Sequence, residues 1–283
     1  MDLRLPGRSG TSPAALNHVR QGHGEPLVLL HGIGGEACVW EPVMDALALE
    51  HDVIAVDLPG FGHSPALPAE IVPTPEALAT VVAAFLDDLG IETAHVAGNS
   101  LGGWVALELA KAGRTRSVVG LCPAGLWRAP ILAADAPVVR GRAHRLARRL
   151  RPLIPVALLS RHVRRVVLSP FVAHPDAVPY RAAWRMVRSY ARATAYDATS
   201  TAMRQNHFHG GDAITVPVTL AFGDHDRLVR PARVSIRGAR TVVLEGCGHI
   251  PMWDAPDVVA RLIGETAREG APGAGAGALR AAR

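Results

Sequence analysis

A serine at position 100 stands in a pattern that could supply a nucleophile. Residues 98–102 (GNSLG) form a G-x-S-x-G motif, which follows the apolar run 95–97 and precedes the helix-like stretch 101–112. Small residues on both sides allow the sharp strand-to-helix turn that holds a serine hydroxyl clear of a sheet. Because a serine hydroxyl is a weak nucleophile at neutral pH, this chemistry needs a base and an acid from elsewhere in the chain.

Two later segments could supply them. The strand-like run 218–222 leads into the acidic turn 223–226, and the run 241–244 leads into a glycine-flanked histidine, His249. The histidine would take the proton from the serine, and the acid would hold the imidazole in the useful tautomer. Serine, acid and histidine follow one another in the order that a strand–turn–helix nucleophile requires.

Five motifs in one fixed order carry a resemblance to a known family. They are HGIGG (31–35), DLPGFGHS (57–64), GNSLGG (98–103), GDHDRLV (223–229) and GCGHIPMWDAP (246–256). With these motifs the chain resembles the α/β-hydrolase superfamily, of the lidded serine-hydrolase (esterase/lipase-like) type, from about residue 27 to about residue 263. The resemblance implies an α/β fold, with a mostly parallel, doubly wound sheet and a helical lid inserted after the sixth strand.

The resemblance also implies a role for each matching side chain. Ser100 would attack, His249 would carry the proton, and Asp226 would orient the histidine. The family's acid lies three residues after the strand-ending glycine, which selects Asp226, and Asp224 remains the alternative. The expected reading of Asp224 is a turn residue that accepts hydrogen bonds from its own backbone.

An oxyanion hole must stabilise the charge that develops on the attacked carbonyl oxygen. By resemblance, its donors would be the backbone N–H groups of Leu101 and Ile33, with Gly34 as the alternative to Ile33. No cofactor and no metal is expected. His207 and His209 are two residues apart without a nearby cysteine or carboxylate, a spacing that does not favour zinc.

Length and composition fit one catalytic domain. The chain has 283 residues, of which 49% are hydrophobic, and its strand-like runs alternate with helix-like stretches. We expect an α/β-hydrolase core over residues 1–123 and 213–268, an arginine-rich helical lid over 124–212, and a mobile tail over 269–283. The predicted strands are 27–30, 53–56, 95–97, 117–121, 218–222 and 241–244, and the predicted helices are 40–49, 75–89, 101–112 and 256–268.

The charge of the expected lid is lopsided. Residues 126–211 contain fifteen arginines, three aspartates and no glutamate, and residues 138–151 form a basic amphipathic stretch. On a helical projection Val139, Ala143, Leu146, Ala147 and Leu150 gather on one side. Three interpretations stay open. In the first, the apolar side covers the active site and the arginines are simply solvated, as most charge runs are. In the second, the stretch contacts a membrane surface. In the third, its arginines bind an anionic substrate.

Other features limit compartment and partners. No transmembrane run or secretory signal is visible in the sequence, and no basic patch is interleaved with aromatic residues in a nucleic-acid-binding motif. Three cysteines give no disulfide framework, which favours a reducing cytoplasm. The expected partner is therefore a small-molecule ester, with peripheral membrane or acidic-lipid contact through the lid as a secondary interpretation.

The sequence predicts a serine hydrolase that cleaves carboxylic esters through an acyl-enzyme. Apolar lid residues, among them Leu153, Val156 and Leu159, favour a medium or long hydrophobic acyl group. A carbon–carbon bond hydrolase of a meta-cleavage-type acidic substrate is an alternative, although Ile250 stands where many such enzymes have tryptophan. A perhydrolase and, in a different class, a low-turnover ligand sensor stay open. Dehalogenases and epoxide hydrolases of this fold use aspartate at the position of Ser100 and are disfavoured.

Overall fold

A seven-stranded sheet runs through the part of the chain that the computed structural model describes, which is residues 16–127, 142–229 and 236–271. The strand order across the sheet is β1-β3-β2-β4-β5-β6-β7. β1 pairs antiparallel with β3, and every other neighbouring pair is parallel. The strands are β1 (His18–Gly22), β2 (Glu25–Leu30), β3 (His51–Val56), β4 (Ala94–Asn99), β5 (Thr115–Leu121), β6 (Val218–Gly223) and β7 (Arg240–Leu244).

Helices cover both faces of this sheet. Along β2, Leu27 and Leu29 pack in one apolar cluster, whereas Val28 and Leu30 pack in the other, as the alternation of side chains along a strand requires. The helices of the described residues are α1 (Glu41–Leu47), α2 (Pro75–Asp88), α3 (Leu101–Lys111), α4 (Arg142–Arg149), α5 (Ile154–Ala157), α6 (Arg161–Leu168), α7 (Tyr180–Arg192), α8 (Tyr196–Gln205) and α9 (Pro256–Glu269).

The two clusters confirm the predicted doubly wound α/β fold. α2 and α3 pack with the cluster of Val28 and Leu30, and α1 and α9 pack with the cluster of Leu27 and Leu29. Strands buried from both sides are near-continuous apolar runs, which is why β2 to β6 could be predicted from the sequence. Pro75 stands at the start of α2, and Pro256 at the start of α9, positions where proline suits a first turn.

One strand and one insertion point differ from the sequence prediction. β1 was not predicted, because it is an edge strand whose residues are exposed or half-buried and form no apolar run. Only β1 precedes β2 in the described residues, so the helical segment follows the fifth described strand, β5, rather than a sixth. The segment nonetheless lies between β5 and β6, where the lid was expected.

The helices of the insertion are α4 to α8, and leucines in and just after α4 are exposed. One of the three interpretations placed the apolar side of the stretch 138–151 over the active site, but Leu146 and Leu150 are 56% and 42% exposed, which disagrees with that interpretation. His144 is the buried residue of α4 instead, with its ring stacked on Tyr196 at 4.4 Å and edge-on to Tyr190. Aromatic stacking therefore fixes the orientation of α4. The first residues of the predicted helix, 138–141, lie outside the described residues.

Two sequence expectations concern membranes and thiols. No helix of the described residues is both long and apolar enough to cross a bilayer. Cys38, Cys122 and Cys247 are free thiols. The expected tail begins where α9 ends, at Glu269, and residues 272–283 lie outside the described residues.

The buried carboxylate of Asp57 holds together the loops that follow β2 and β3. One of its oxygens accepts a hydrogen bond from the Ala37 N–H at 2.6 Å. The other accepts from the His63 N–H at 2.9 Å and from the Asn17 amide at 2.8 Å. Because Asp57 is only 1% exposed, each of these donors would lack a water molecule as a substitute partner.

Asp57→Asn should therefore destabilise the fold. An amide in place of the carboxylate turns one acceptor into a donor that faces another donor, which costs about 2 kcal/mol. The free energy of unfolding in urea measures this loss. Asp212→Asn is the matched control, because Asp212 is exposed, and we expect a change within about 0.5 kcal/mol. Equal effects of the two substitutions would contradict the role of Asp57.

Candidate active site

Ser100 lies at the turn between β4 and α3 in a strained conformation. Its backbone angles are φ 54° and ψ −114°, a region that residues other than glycine rarely adopt. A Cβ at Gly98 would overlap the carbonyl of Gly102, and a Cβ at Gly102 would overlap the carbonyl of Leu30. Both glycines of the motif are therefore required by close backbone approach.

His249 and Asp226 meet in a short hydrogen bond. The His249 Nδ1 lies 2.8 Å from an Asp226 carboxylate oxygen, and both side chains are almost fully buried. The second carboxylate oxygen accepts from the N–H groups of Leu228 and Val229 at 2.7 and 3.0 Å. This arrangement leaves the Nε2 of His249 as the nitrogen that can exchange a proton with another group.

The environment keeps the Asp226 carboxylate charged. Burial alone would raise the pKa of Asp226, but the hydrogen bond and charge of His249, together with the two backbone donors, lower it below the ordinary value. A carboxylate that stays ionised stabilises the cationic form of its histidine partner. Asp224, by contrast, is exposed and accepts a hydrogen bond from the Cys247 N–H, as a turn residue does.

Asn99 links the histidine loop to the serine turn. Its side-chain amide donates to the carbonyl of His249 at 2.8 Å and to the carbonyl of Leu121 at 3.1 Å. Sequence analysis did not single out this residue. The only signal was its place next to the nucleophile, because the bond to His249 joins positions 150 residues apart.

The backbone around Ser100 offers free hydrogen-bond donors. Leu101 begins α3, and the first N–H groups of a helix have no intrahelical acceptor. Among the described residues, no acceptor pairs with the N–H of Leu101 or with that of Ile33. The loop of Ile33 adjoins the serine, because a Cβ at Gly32 would lie 3.1 Å from the Ser100 Cβ.

His31 fixes the loop of Ile33 through hydrogen bonds from its ring. Its Nδ1 lies 2.7 Å from the carbonyl of Gly32, and its Nε2 accepts a hydrogen bond from the Leu58 N–H at 2.9 Å. The second bond requires a neutral ring, and burial lowers the pKa of His31. The structure therefore gives His31 a hydrogen-bonding position at the base of the loop, separate from the His249–Asp226 pair.

The insertion packs directly on the loop that carries Ile33. Gly34 has a φ of 78°, and a Cβ there would lie 2.7 Å from the ring of Tyr190 and 3.4 Å from the ring of Tyr196. The Ser189 hydroxyl donates to the carbonyl of Gly34 at 3.2 Å. Because α7 and α8 supply these side chains, the position of the loop depends on the insertion as well as on the sheet.

A second part of the insertion is bound to the histidine loop. The carboxylate of Asp254 accepts from the N–H groups of Ala173, His174 and Gly248, at 2.8 to 3.0 Å. The N–H of Ile250 donates to the carbonyl of Phe171 at 2.8 Å. The histidine loop and the segment after α6 thus form one hydrogen-bonded unit.

Cys122 lies beside the His249–Asp226 pair. Possible ligand atoms of Cys122, Asp226 and His249 lie within 4.8 Å of one another, a spacing that could hold a metal ion. Burial, together with the nearby Asp226 carboxylate, raises the pKa of the Cys122 thiol well above its ordinary value. The Cys122 sulfur accepts from the Gly223 N–H and donates to the carbonyl of Gly248. A protonated, hydrogen-bonded thiol is a packing group rather than a ready ligand.

A cavity of about 590 Å³ opens next to the acid turn. Arg165, His174, His225 and Arg227 line it, together with the acidic Asp176. Arg165 already pairs with Asp176 at 2.6 Å. Neither Ser100 nor His249 lines this cavity, so it is not where a bound acyl group would meet the serine.

Comparisons with known proteins agree with this geometry. A family model described as "Alpha/beta hydrolase family" matches residues 27–262. The epoxide hydrolase EphH of Mycobacterium tuberculosis is 36% identical over 195 residues, which cover 63% of this chain and 87% of that protein. A pimeloyl-(acyl-carrier protein) methyl ester esterase of Neisseria meningitidis serogroup A is 32% identical over 244 residues, which cover 83% and 74%.

Among solved structures, a thermophilic esterase from Thermogutta terrifontis superimposes with a TM-score of 0.68. The sequence identity is 25%, and the match covers 90% of this chain and 93% of that chain.

The hydrogen bond to His249 predicts that Asp226, and not Asp224, controls the reactivity of Ser100. Asp226→Asn should slow labelling of Ser100 by a fluorophosphonate by about 10²–10⁴-fold, because the amide favours the wrong imidazole tautomer. Asp224→Asn is the matched control, and its labelling rate should stay within about threefold of wild type. Slow labelling of the Asp224 variant, with a normal Asp226 variant, would reverse the assignment.

The Cys122 environment predicts an inert thiol. At pH 7, iodoacetamide should leave Cys122 unmodified in the folded protein, because a buried thiol with a raised pKa holds almost no thiolate. Peptide mass spectrometry measures the modification, and the protein unfolded in urea is the control that must react. Rapid alkylation of the folded protein at Cys122 would show that the thiol is exposed or ionised.

Proposed function

We propose that this chain, which belongs to the alpha/beta hydrolase family, is a serine hydrolase that cleaves carboxylic esters through an acyl-enzyme. The observation that carries the proposal is the strained turn of Ser100, with free N–H groups beside it and a buried His249–Asp226 pair in the adjoining loop. Strain at a turn of this kind is retained where it presents a nucleophile.

In the proposed acylation step, the Ser100 hydroxyl attacks the ester carbonyl carbon while the Nε2 of His249 takes its proton. The tetrahedral intermediate collapses, and His249 returns the proton to the departing alcohol. A water molecule then attacks the acyl-enzyme by the same route and releases the acid. Asp226 keeps the Nδ1 proton of His249 in place and stabilises the imidazolium, which its lowered pKa supports.

The N–H groups of Leu101 and Ile33 form the proposed oxyanion hole. Their lack of acceptors among the described residues supports this role, because no hydrogen bond has to break before these N–H groups bind a developing oxyanion. Gly34 is the alternative donor to Ile33. The packing of Tyr190 and Tyr196 on Gly34 supports the view that the insertion fixes this loop.

We assign the insertion, residues 124–212, the role of a lid, between core segments 1–123 and 213–268. Its contacts with the loops of Gly34 and His249 support this assignment. The acyl preference has less support than the sequence indicated. Leu153, Val156 and Leu159 are exposed, whereas Ile154 and Leu158 pack on α7. A hydrophobic acyl group therefore remains a proposal to be measured.

Epoxide hydrolysis deserves a test, because EphH is an epoxide hydrolase. A carboxylate that opens an epoxide forms an ester, which water can hydrolyse. A serine hydroxyl would form an ether, which has no carbonyl for water to attack. Ser100 therefore favours ester cleavage over epoxide opening.

Three other activities share the same side chains. A carbon–carbon bond hydrolase of a meta-cleavage-type acidic substrate needs a cationic group near the bound acid, and Arg227, which follows Asp226 in the chain, is the candidate. A perhydrolase would use the same acyl-enzyme with peroxide in place of water. A ligand sensor would bind tightly and turn over slowly.

The proposed reaction needs no cofactor, because each step uses only protein side chains, backbone donors and water. The three free thiols support the proposal of a reducing, cytoplasmic compartment.

The decisive experiment is hydrolysis of p-nitrophenyl esters from acetate to palmitate. Wild type should turn over with a maximum at one chain length, and Ser100→Ala should lose at least about 10³-fold in kcat/KM. Ser169→Ala is the matched control, because Ser169 lies in the insertion and its hydroxyl donates to the nearby carbonyl of Val166 rather than to a group of the candidate site.

Further substrates separate the alternatives. Styrene oxide tests epoxide opening, and a meta-cleavage dienoate tests carbon–carbon bond hydrolysis. Absence of ester turnover by a folded protein would reject the esterase proposal. Ser100-dependent epoxide hydrolysis, or tight binding of an ester without turnover, would replace it with the corresponding alternative.

A further inference from the structure

The outward side of the insertion exposes apolar side chains in an unusual concentration. Of the eleven large hydrophobic side chains that are exposed in the described residues, six lie between positions 146 and 166. We call this surface, residues 145–166, the arginine–leucine face. Its exposed apolar side chains are Leu146 (56%), Leu150 (42%), Leu153 (62%), Val156 (70%), Leu159 (65%) and Val166 (58%).

These side chains are not required for packing within the insertion. The inner sides of α4, α5 and α6 already bury Ala147, Ile154, Leu158 and Val163 against α7. Of the exposed side chains, Leu146, Val156 and Val166 lie on these three helices, and Leu150, Leu153 and Leu159 lie in the short connections between them. They therefore form an outer layer with no cover among the described residues, which is costly in water.

The same face carries a large excess of positive charge. Residues 142–168 contain eight arginines and no aspartate or glutamate. Arg165 pairs with Asp176, and Arg164 donates to backbone carbonyls. Five further arginines are exposed and form no ion pair with any described residue, namely Arg145, Arg148, Arg149, Arg151 and Arg161.

We propose that the arginine–leucine face binds the surface of a bilayer that contains anionic lipids. Leucine and valine side chains would enter the boundary between headgroups and acyl chains, while the arginines bind lipid phosphates and carboxylates. The chemistry excludes a second copy of this face as the partner, because two such surfaces would bring like charges together. A soluble anion would account for the arginines but not for the exposed leucines.

The proposal changes the interpretation of the insertion's charge. A helix whose arginines are merely solvated should bury its leucines, and α4 does the reverse. The binding surface is independent of the proposed ester hydrolysis, because none of its residues contacts Ser100, His249 or Asp226. Vesicle binding and catalysis can therefore succeed or fail separately in experiments.

The test is co-sedimentation of the full chain with sucrose-loaded vesicles. Vesicles of phosphatidylcholine alone should bind little protein, whereas vesicles with 30% phosphatidylglycerol should bind at least about tenfold more. Binding should weaken between 50 and 300 mM NaCl, because salt screens the arginine contribution.

Paired substitutions separate charge from apolar insertion. Arg145→Gln with Arg149→Gln should weaken binding about tenfold or more. Leu146→Ser with Leu150→Ser should also weaken it about tenfold, through lost apolar burial. The matched controls are Arg237→Gln with Arg261→Gln, and Leu49→Ser with Val72→Ser, which change exposed residues elsewhere and should bind as wild type does. Thermal unfolding checks that every variant is folded.

Each contrary result overturns the proposal. Equal binding to neutral and anionic vesicles, or no binding to either, would reject an anionic bilayer. Unchanged binding of the leucine pair would mean that no apolar side chain enters the membrane. If soluble polyglutamate displaced the protein from anionic vesicles as well as free anionic vesicles do, the face would be assigned to an acidic protein partner instead. Loss of binding in the control variants as well would assign it to the overall charge of the chain.

Discussion

The close approach of three backbone segments at Ser100 is the constraint on which the rest of the site depends. β4 ends, α3 begins and β2 passes beside them at distances that leave no room for a Cβ at Gly98 or Gly102. In this geometry Ser100 has a positive φ, a conformation that costs on the order of 1–3 kcal/mol. Packing of the buried α3 on the sheet supplies the energy that keeps the strained turn in place.

Most groups around this turn are positioned by hydrogen bonds between a side chain and the backbone rather than by bonds between two side chains. His31 and Asp57 fix the loop before the turn, and Asn99 fixes the histidine loop beside it. Asp254 then connects the histidine loop to the insertion. The bonds of His31, Asp57 and Asn99 are buried, so loss of one partner there leaves a donor or acceptor unsatisfied. The half-buried bonds of Asp254 join this network to the insertion.

Sequence patterns were sufficient for the parts of the fold that depend on local periodicity. Strands β2 to β6 are apolar runs buried on both sides. The family resemblance favoured Asp226 over Asp224 as the acid, and Asp226 is the one that contacts His249 in the structure. The patterns failed where a distant partner decides. β1 is an exposed edge strand, and α4 turns its histidine inward because Tyr190 and Tyr196, more than forty positions away, provide the stacking surface. Asn99 lies within the G-x-S-x-G motif at a position that the pattern leaves open, and Cys122 lies in none of the five motifs. Neither bond to the histidine loop could therefore be predicted from the sequence.

The identity of the nucleophile limits the chemistry more strongly than overall similarity does. A relative that is named an epoxide hydrolase and another that is named a methyl ester esterase match this chain at nearly the same identity, 36% and 32%. Overall similarity therefore does not distinguish epoxide opening from ester cleavage for this chain. The covalent bond formed by the nucleophile does distinguish them. With Ser100 as the proposed nucleophile, an ester bond to the serine needs an acyl group, so the proposed substrate carries a carbonyl carbon at the point of attack.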